Sequence, residues 1–183
     1  MKNVSRILCC LLFAVVGDIS SAQTRITANQ ALDFWITHTE NEVIQAADAM
    51  PEKKYSFAPK GPGFNGVRTF AQQVKHLAAN NYRMAAYIIG RTPMPDEESE
   101  AGPDGIRTKS QITDYLRGSF TALHGAVATI TDTNLVAPLA TYPGRQNTRL
   151  QLAEDVVAHS YNHYGQMVEY LRMNGIIPPA SRR

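Results

Sequence analysis

Apolar side chains return every three or four positions near the C-terminal end of the chain: Leu152, Val156, Met167 and Tyr170, with two imidazoles, His159 and His163, set into the same line. At about 100° per residue these positions share one face of a single helix. Thr148 is placed to cap its start, and Asn174-Gly175 followed by Pro178-Pro179 ends it after Met173. Three earlier segments carry the same period. Thr27 caps a helix to about Ala49, with Ala31, Phe34, Trp35, His38, Glu42 and Ile44 to Ala46 at helical spacing, and Met50-Pro51 stops it. A second helix runs from about Val67 to Ile89, with an apolar line of Phe70, Leu77 and Met84, and ends at Gly90. A third spans about Lys109 to Ile130. The segments between them are rich in proline and glycine: 51–66 holds three of each, and the last connection contains Pro138, Pro143 and Gly144. Residues Arg91 to Thr108, with Pro95-Asp96-Glu97-Glu98-Ser99-Glu100, read as a long, acidic, solvated connection with no ligand role. No stretch of length alternates as a strand does, so the pattern predicts an all-α fold, a four-helix bundle.

Polar residues on the apolar faces carry the candidate chemistry. His159 and His163, four residues apart, stack one turn above the other and can chelate one metal ion. In the second helix Gln73, His76 and Asn80 lie beside the apolar line. A polar edge turned into a bundle is costly unless its groups find partners. A metal held by His76, His159 and His163 would supply them and leave coordination positions free for water or substrate. Asp155, one turn before His159, is positioned to accept its second ring N–H. His38 and His124 each stand alone and read as hydrogen-bonded structural histidines, and Tyr161, Tyr164 and Tyr170 as packing residues. The zinc-protease helix is excluded, because that motif places Glu directly after the first histidine and this chain has Ser160. With histidines of ordinary pKa, near 6.5, metal occupancy is expected to fall below about pH 6.

Composition changes the picture at the N-terminus. Lys2 and Arg6 precede an apolar run from Ile7 to Val16, too short for a spanning helix, and Ser20-Ser21-Ala22 supplies small residues before Gln23. Residues 1–22 therefore read as a secretory signal and 23–183 as one domain, secreted or periplasmic and free of the membrane once cleaved. The chain's two cysteines, Cys9 and Cys10, fall in the signal. The mature chain then has no disulfide, thiolate ligand or cysteine nucleophile. Removing Lys2, Arg6 and Asp18 leaves a net charge of +1, which gives no footprint for nucleic acid. No fixed-period repeat is present.

Three ordered blocks carry a family resemblance: Met50-Pro51-Glu52-Lys53-Lys54-Tyr55-Ser56-Phe57, then Val67 to Tyr82, then His159 to Gln166 running into Tyr170 to Pro179. Together they resemble the DinB-like (DinB/YfiT) family. The resemblance implies an up-down-down-up bundle with a long crossover connection, and a divalent metal bound by one histidine of the second helix and the His-x-x-x-His of the fourth. Carried over to this chain, the ligands are His76, His159 and His163, with zinc first and nickel, iron or manganese as alternatives. Some relatives are thiol S-transferases or thiol-dependent isomerases and others are called hydrolases. Export disfavours a low-molecular-weight thiol, which belongs mainly to reducing compartments. The expectation is an exported metal-dependent enzyme of hydrolase or thiol S-transferase type, acting on an unidentified small molecule as a monomer or homodimer, with no general base identified. The other expectation is a non-catalytic metal-binding or ligand-binding bundle.

Overall fold

The computed structural model describes residues 25–143 and 147–182. Residues 1–22, read from the sequence as a secretory signal and including Cys9 and Cys10, lie outside them. Four long helices, α1 (Ala28–Ala49), α2 (Phe70–Ile88), α4 (Lys109–Val127) and α5 (Arg149–Met173), form the bundle, with a one-turn helix α3 (Pro95–Glu98) in the connection between α2 and α4. Two-residue strands β1 (Pro138–Leu139) and β2 (Asn147–Thr148) pair antiparallel and lead into α5. No described helix is long and apolar enough to cross a membrane.

Side-chain contacts fix the helix directions. Lys54 donates to the carbonyl of Asn174, just past the C-terminal ends of α1 and α5, so those two run parallel. Lys109, at the start of α4, donates to the carbonyls of Asp48 and Met50 at the end of α1, while His124 near the end of α4 meets Asp33 near the start of α1. α4 is therefore antiparallel to α1. Tyr170 donates to the Arg68 carbonyl ahead of α2, and Gln73 and His76 meet Gln166 and His159, so α2 is antiparallel to α5. The path is up-down-down-up. The parallel pair α2 and α4 requires the crossover through 89–108.

The helices start where their caps dictate. Thr69, Thr108 and Thr148 each accept from the backbone N–H three residues on, and the glutamine there reaches back to the threonine N–H. This capping starts α2 at Phe70 rather than Val67, and α4 ends at Val127, three residues short of the expected Ile130. The face of α1 also differs from expectation. Ile36, Thr39, Val43, Ala46 and Ala47 point inward, whereas Phe34 and Trp35 are 63% and 52% exposed. The connection 91–108 is not simply a solvated loop: Glu97 is buried at its centre, bonded to both guanidinium nitrogens of Arg91 at 2.8 and 2.9 Å and to the Met94 N–H. The resulting pair of hydrogen bonds between planar groups is the strong form of an ion pair, and it lowers the pKa of Glu97. α3 and the crossover are thereby fixed beside α2.

The core is filled by Phe70, Leu77, Ile88, Ile112, Leu116, Phe120, Leu123, Met167 and Leu171, all fully buried. Tyr55 donates to the Ala47 carbonyl and stacks edge-on against Phe70, joining the turn after α1 to the first turn of α2.

Candidate metal centre

The seam of α5 points inward as the periodicity requires: Leu152, Val156, His163, Met167 and Tyr170 are buried and His159 is half-buried. Opposite it, α2 buries Gln73, His76 and Asn80 alongside Phe70, Leu77 and Met84. Antiparallel packing then brings the three imidazoles together. His159 Nε2 lies 3.1 Å from His76 Nε2 and 3.1 Å from His163 Nε2. One ligand atom from each ring lies within 4.8 Å of the others.

Outer hydrogen bonds determine which nitrogens carry protons. The Nδ1 of His76 is 2.7 Å from the backbone carbonyl of Glu100, which can only accept, so that nitrogen holds the ring proton. Asn162 presents its carbonyl and side-chain oxygens to Gln166 Nε2, leaving Gln166 Oε1 to accept from Gln73 Nε2 at 2.8 Å. This orients the Gln73 amide so that its Oε1 accepts from His163 Nδ1 at 2.6 Å. Neutral His76 and His163 therefore both aim an Nε2 lone pair at His159 Nε2. A neutral imidazole has one N–H, so His159 can donate to at most one of them. The other contact would be left with no proton between its two nitrogens. One cation accepting all three lone pairs removes the conflict, and metal-ligating histidines ordinarily give their other N–H to a carbonyl or an amide oxygen in this way. Bonds of about 2.0–2.1 Å place the nitrogens about 3.3 Å apart at tetrahedral angles and about 2.9 Å apart at right angles. The observed 3.1 Å falls between. Three neutral imidazoles suit zinc and other first-row divalent ions.

The electrostatics keep the rings neutral. Burial lowers all three, and neighbouring positive charge adds to it: His159 falls to about 4 and His163 to about 3, with His76 also below its ordinary value. Arg68 and Arg83 contribute to the lowering of His76 and His159. This corrects the expected pH window. The folded-state values lie below the unfolded value near 6.5, so the rings' contribution to stability is complete above that value and is lost as pH falls toward the folded pKa values. Within the folded protein, protons therefore compete with metal at lower pH than rings of ordinary basicity would allow. The expected result is that equilibrium dialysis at pH 5.5 with saturating zinc leaves the protein as fully loaded as at pH 7.5. Half-loss near pH 6 would show rings of ordinary basicity.

Two other expectations change, those for Asp155 and His38, while His124 is the hydrogen-bonded structural histidine expected. Asp155 is exposed and acts on His159 only through its charge; the Nδ1 of His159 is buried and has no partner among the described residues. The spacing of four brings Asp155 to the right side of α5 but leaves it at the solvent edge. His124 bridges Asp33 at 2.5 Å and Glu40 at 3.1 Å; burial alone would lower its pKa, but the two carboxylates together raise it. His38 makes no hydrogen bond among the described residues and packs its ring against Phe34 and Trp35 on the exposed face of α1. Tyr170 is a packing residue, buried and donating to Arg68.

The Glu100 carbonyl and the Gln73 amide are the supporting groups that the spacing of histidines does not reveal. Gln73 carries a sequence signal, since it sits three residues before His76 on the same polar edge. A backbone carbonyl carries none. Replacing Gln73 by Leu strands the His163 N–H in the core, and the expected cost is about 10- to 100-fold in metal affinity. Competition against a chromophoric chelator measures it, and an unchanged dissociation constant would show that the amide does not hold the ring.

Comparison with known proteins agrees with the geometry. A family model described as the DinB superfamily matches residues 36–167. Among solved structures, a DinB-like protein from Bacillus cereus superposes with a TM-score of 0.64 at 20% identity, covering 84% of this chain and 96% of that one. A protein from Enterococcus faecalis described only as conserved gives 0.65 at 15% identity, covering 81% and 98%. No curated protein matches the sequence.

Proposed function

Because the chain belongs to the DinB superfamily and brings three histidines to one point, we propose that it is a metal-dependent enzyme in which His76, His159 and His163 hold one divalent ion, zinc first among the candidates. The observation that carries this reading is that the cluster stops at three ligands. No fourth His, Cys, Asp or Glu joins the three among the described residues, whereas a structural zinc site is closed by four protein ligands. When bound, such an ion supplies Lewis acidity to a substrate oxygen or to water. The chain's own part is to hold three rings neutral at pH 7, to fix two of them through Gln73 and the Glu100 carbonyl, and to exclude carboxylate ligands that would reduce the ion's net charge.

The reaction we favour is of the hydrolytic type on a small molecule. The N-terminal segment of the sequence, with Lys2, Arg6 and the run Ile7–Val16, supports export to a secreted or periplasmic location, where a low-molecular-weight thiol cosubstrate is scarce. Thiol S-transfer is the reading that replaces it if the protein is retained inside the cell. N-terminal sequencing of the protein isolated from its source separates them: a start at or near Gln23 supports export, and a retained Met1 removes it.

The decisive measurement is turnover of zinc-loaded and chelator-stripped protein against ester, amide and thiol-conjugation substrates. Activity in one class that disappears on stripping and returns with zinc is expected. Metal binding with no metal-dependent turnover in any class would reduce the protein to a metal-binding bundle.

A further inference from the structure

We propose that Asn65 is a site of spontaneous covalent modification, its side-chain amide passing to a carboxylate through a cyclic imide closed by the backbone nitrogen of Gly66, and that the fold holds the same dipeptide at Asn174-Gly175 inert. The inference stands apart from the metal-centre reading.

Asparagine precedes glycine twice in the chain, at Asn65-Gly66 and at Asn174-Gly175. Such a pair is open to internal attack, because glycine has no side chain to crowd its own nitrogen or to restrict the backbone beside it. In the first step the Gly66 nitrogen gives its proton to solvent and bonds to Asn65 Cγ. The bond from Cγ to Nδ2 breaks, and ammonia leaves. Water then opens the imide. Attack at Cγ yields aspartate, and attack at the main-chain carbonyl yields isoaspartate, with the chain rerouted through the side chain. Amide and water become carboxylate and ammonium, and nothing is oxidised or reduced.

The structure separates the two pairs. Asn65 and Gly66 are exposed at the middle of a turn from Phe64 to Val67, closed by a long contact of 3.4 Å from the Val67 N–H to the Phe64 carbonyl. Gly66 has φ +79°, the left-handed backbone that glycine adopts without strain. Among the described residues no hydrogen bond engages the Asn65 side chain or the Gly66 N–H. Rotation that brings this nitrogen onto Cγ therefore breaks only the weak closure of the turn. At the end of α5 every corresponding group is tied. The Gly175 N–H donates to the Arg172 carbonyl at 2.9 Å, and Asn174 Nδ2 donates to the Tyr170 carbonyl at 2.8 Å. The Asn174 carbonyl accepts from Lys54 Nζ at 2.9 Å, and the Ile176 N–H donates to the Leu171 carbonyl at 3.0 Å. Closing the imide at Asn174 requires the first two of these bonds to open. At the usual net worth of a hydrogen bond, two of them slow a reaction that proceeds only from the opened form by about 30-fold.

The product changes the surface of the bundle. Phe64 and Val67, on either side of the reacting pair, line a cavity of about 410 Å³ with Gln166, Tyr170 and Met173 on α5. The lining holds one carboxylate, Glu169. Modification brings a second to its edge.

Trypsin separates the two sites, since cleavage after Lys60, Arg68, Arg172 and Arg182 releases 61–68 and 173–182, each with a single asparagine. Native protein is incubated at pH 8 in heavy-oxygen water and sampled over time, and the labelled acid in each peptide is measured by mass spectrometry. The peptide 61–68 should convert about 30-fold faster than 173–182, and part of its product should be isoaspartate. In guanidinium chloride, with the protein unfolded, the two rates should converge. Asn65→Gln, whose longer side chain would have to close a larger ring, should abolish conversion of 61–68 and leave 173–182 as it was. Equal rates in the native protein overturn the proposal. A difference that survives unfolding also overturns it, because local sequence and not the fold would then be the cause. Aspartate at 65 with no isoaspartate would show direct hydrolysis without the imide and overturn it as well.

Discussion

Saturating zinc, at about 100 times its dissociation constant, is expected to raise the thermal midpoint of the wild-type protein by roughly 5–11 °C, the shift that about 2.7 kcal/mol produces in a domain of this size. The ion binds only where α2 and α5 are docked, since the rings that meet at 3.1 Å come from both helices. His163→Ala removes the ring that Gln73 orients and leaves two donors. A hundredfold weaker site at the same zinc concentration would retain only about 0.4 kcal/mol of the increment. His124→Ala is the control with a cost of its own: it breaks the bridge to Asp33 and Glu40 between α4 and α1 and lowers the midpoint, yet zinc should raise that lower midpoint by the wild-type amount. Calorimetry of the three proteins at pH 7.5, with and without zinc, gives the answer. Equal zinc-induced shifts in all three would place the ion elsewhere.

Phe70→Ala should remove about 3–5 kcal/mol of stability, the range for deleting a buried aromatic ring whose surroundings cannot collapse. Phe70 is fully buried at the first position of α2; its ring stacks against Tyr55 and its N–H donates to the Phe57 carbonyl. Those neighbours are tied in turn, Tyr55 to Ala47 and Phe57 edge-on to Tyr170, so little can move into the void. Urea unfolding should show a lower midpoint with an unchanged slope. A loss under about 1 kcal/mol would show that the turn after α1 closes over the space.

The contrast between α5 and α1 shows what the sequence makes legible. In α5 the inward line is broken only by the two histidines, so period, face and ligand candidates all follow from one pattern. In α1 apolar residues occur on more than one face; Phe34 and Trp35 lie on the outer one, and the buried line of Ile36, Val43 and Ala47 is no more hydrophobic to read. Only packing against α4 and α5 decides between them. Threonine caps followed by glutamine were readable in principle at Thr69 and Thr148. The crossover was misread because its acidity suggested solvent, while the Arg91–Glu97 pair buries one of those acids and positions the Glu100 carbonyl on His76 through backbone geometry alone.

The unequal support of the three rings has a kinetic consequence. His76 and His163 are each anchored behind the site, but no described residue holds the Nδ1 of His159. An arriving ion would meet two rings already oriented and recruit the third by a rotation about its side-chain bonds. Departure reverses the order, beginning when His159 swings away. The residence time of a bound ion would then be set at His159, on the half-buried edge of the bundle, rather than by the opening of the bundle itself.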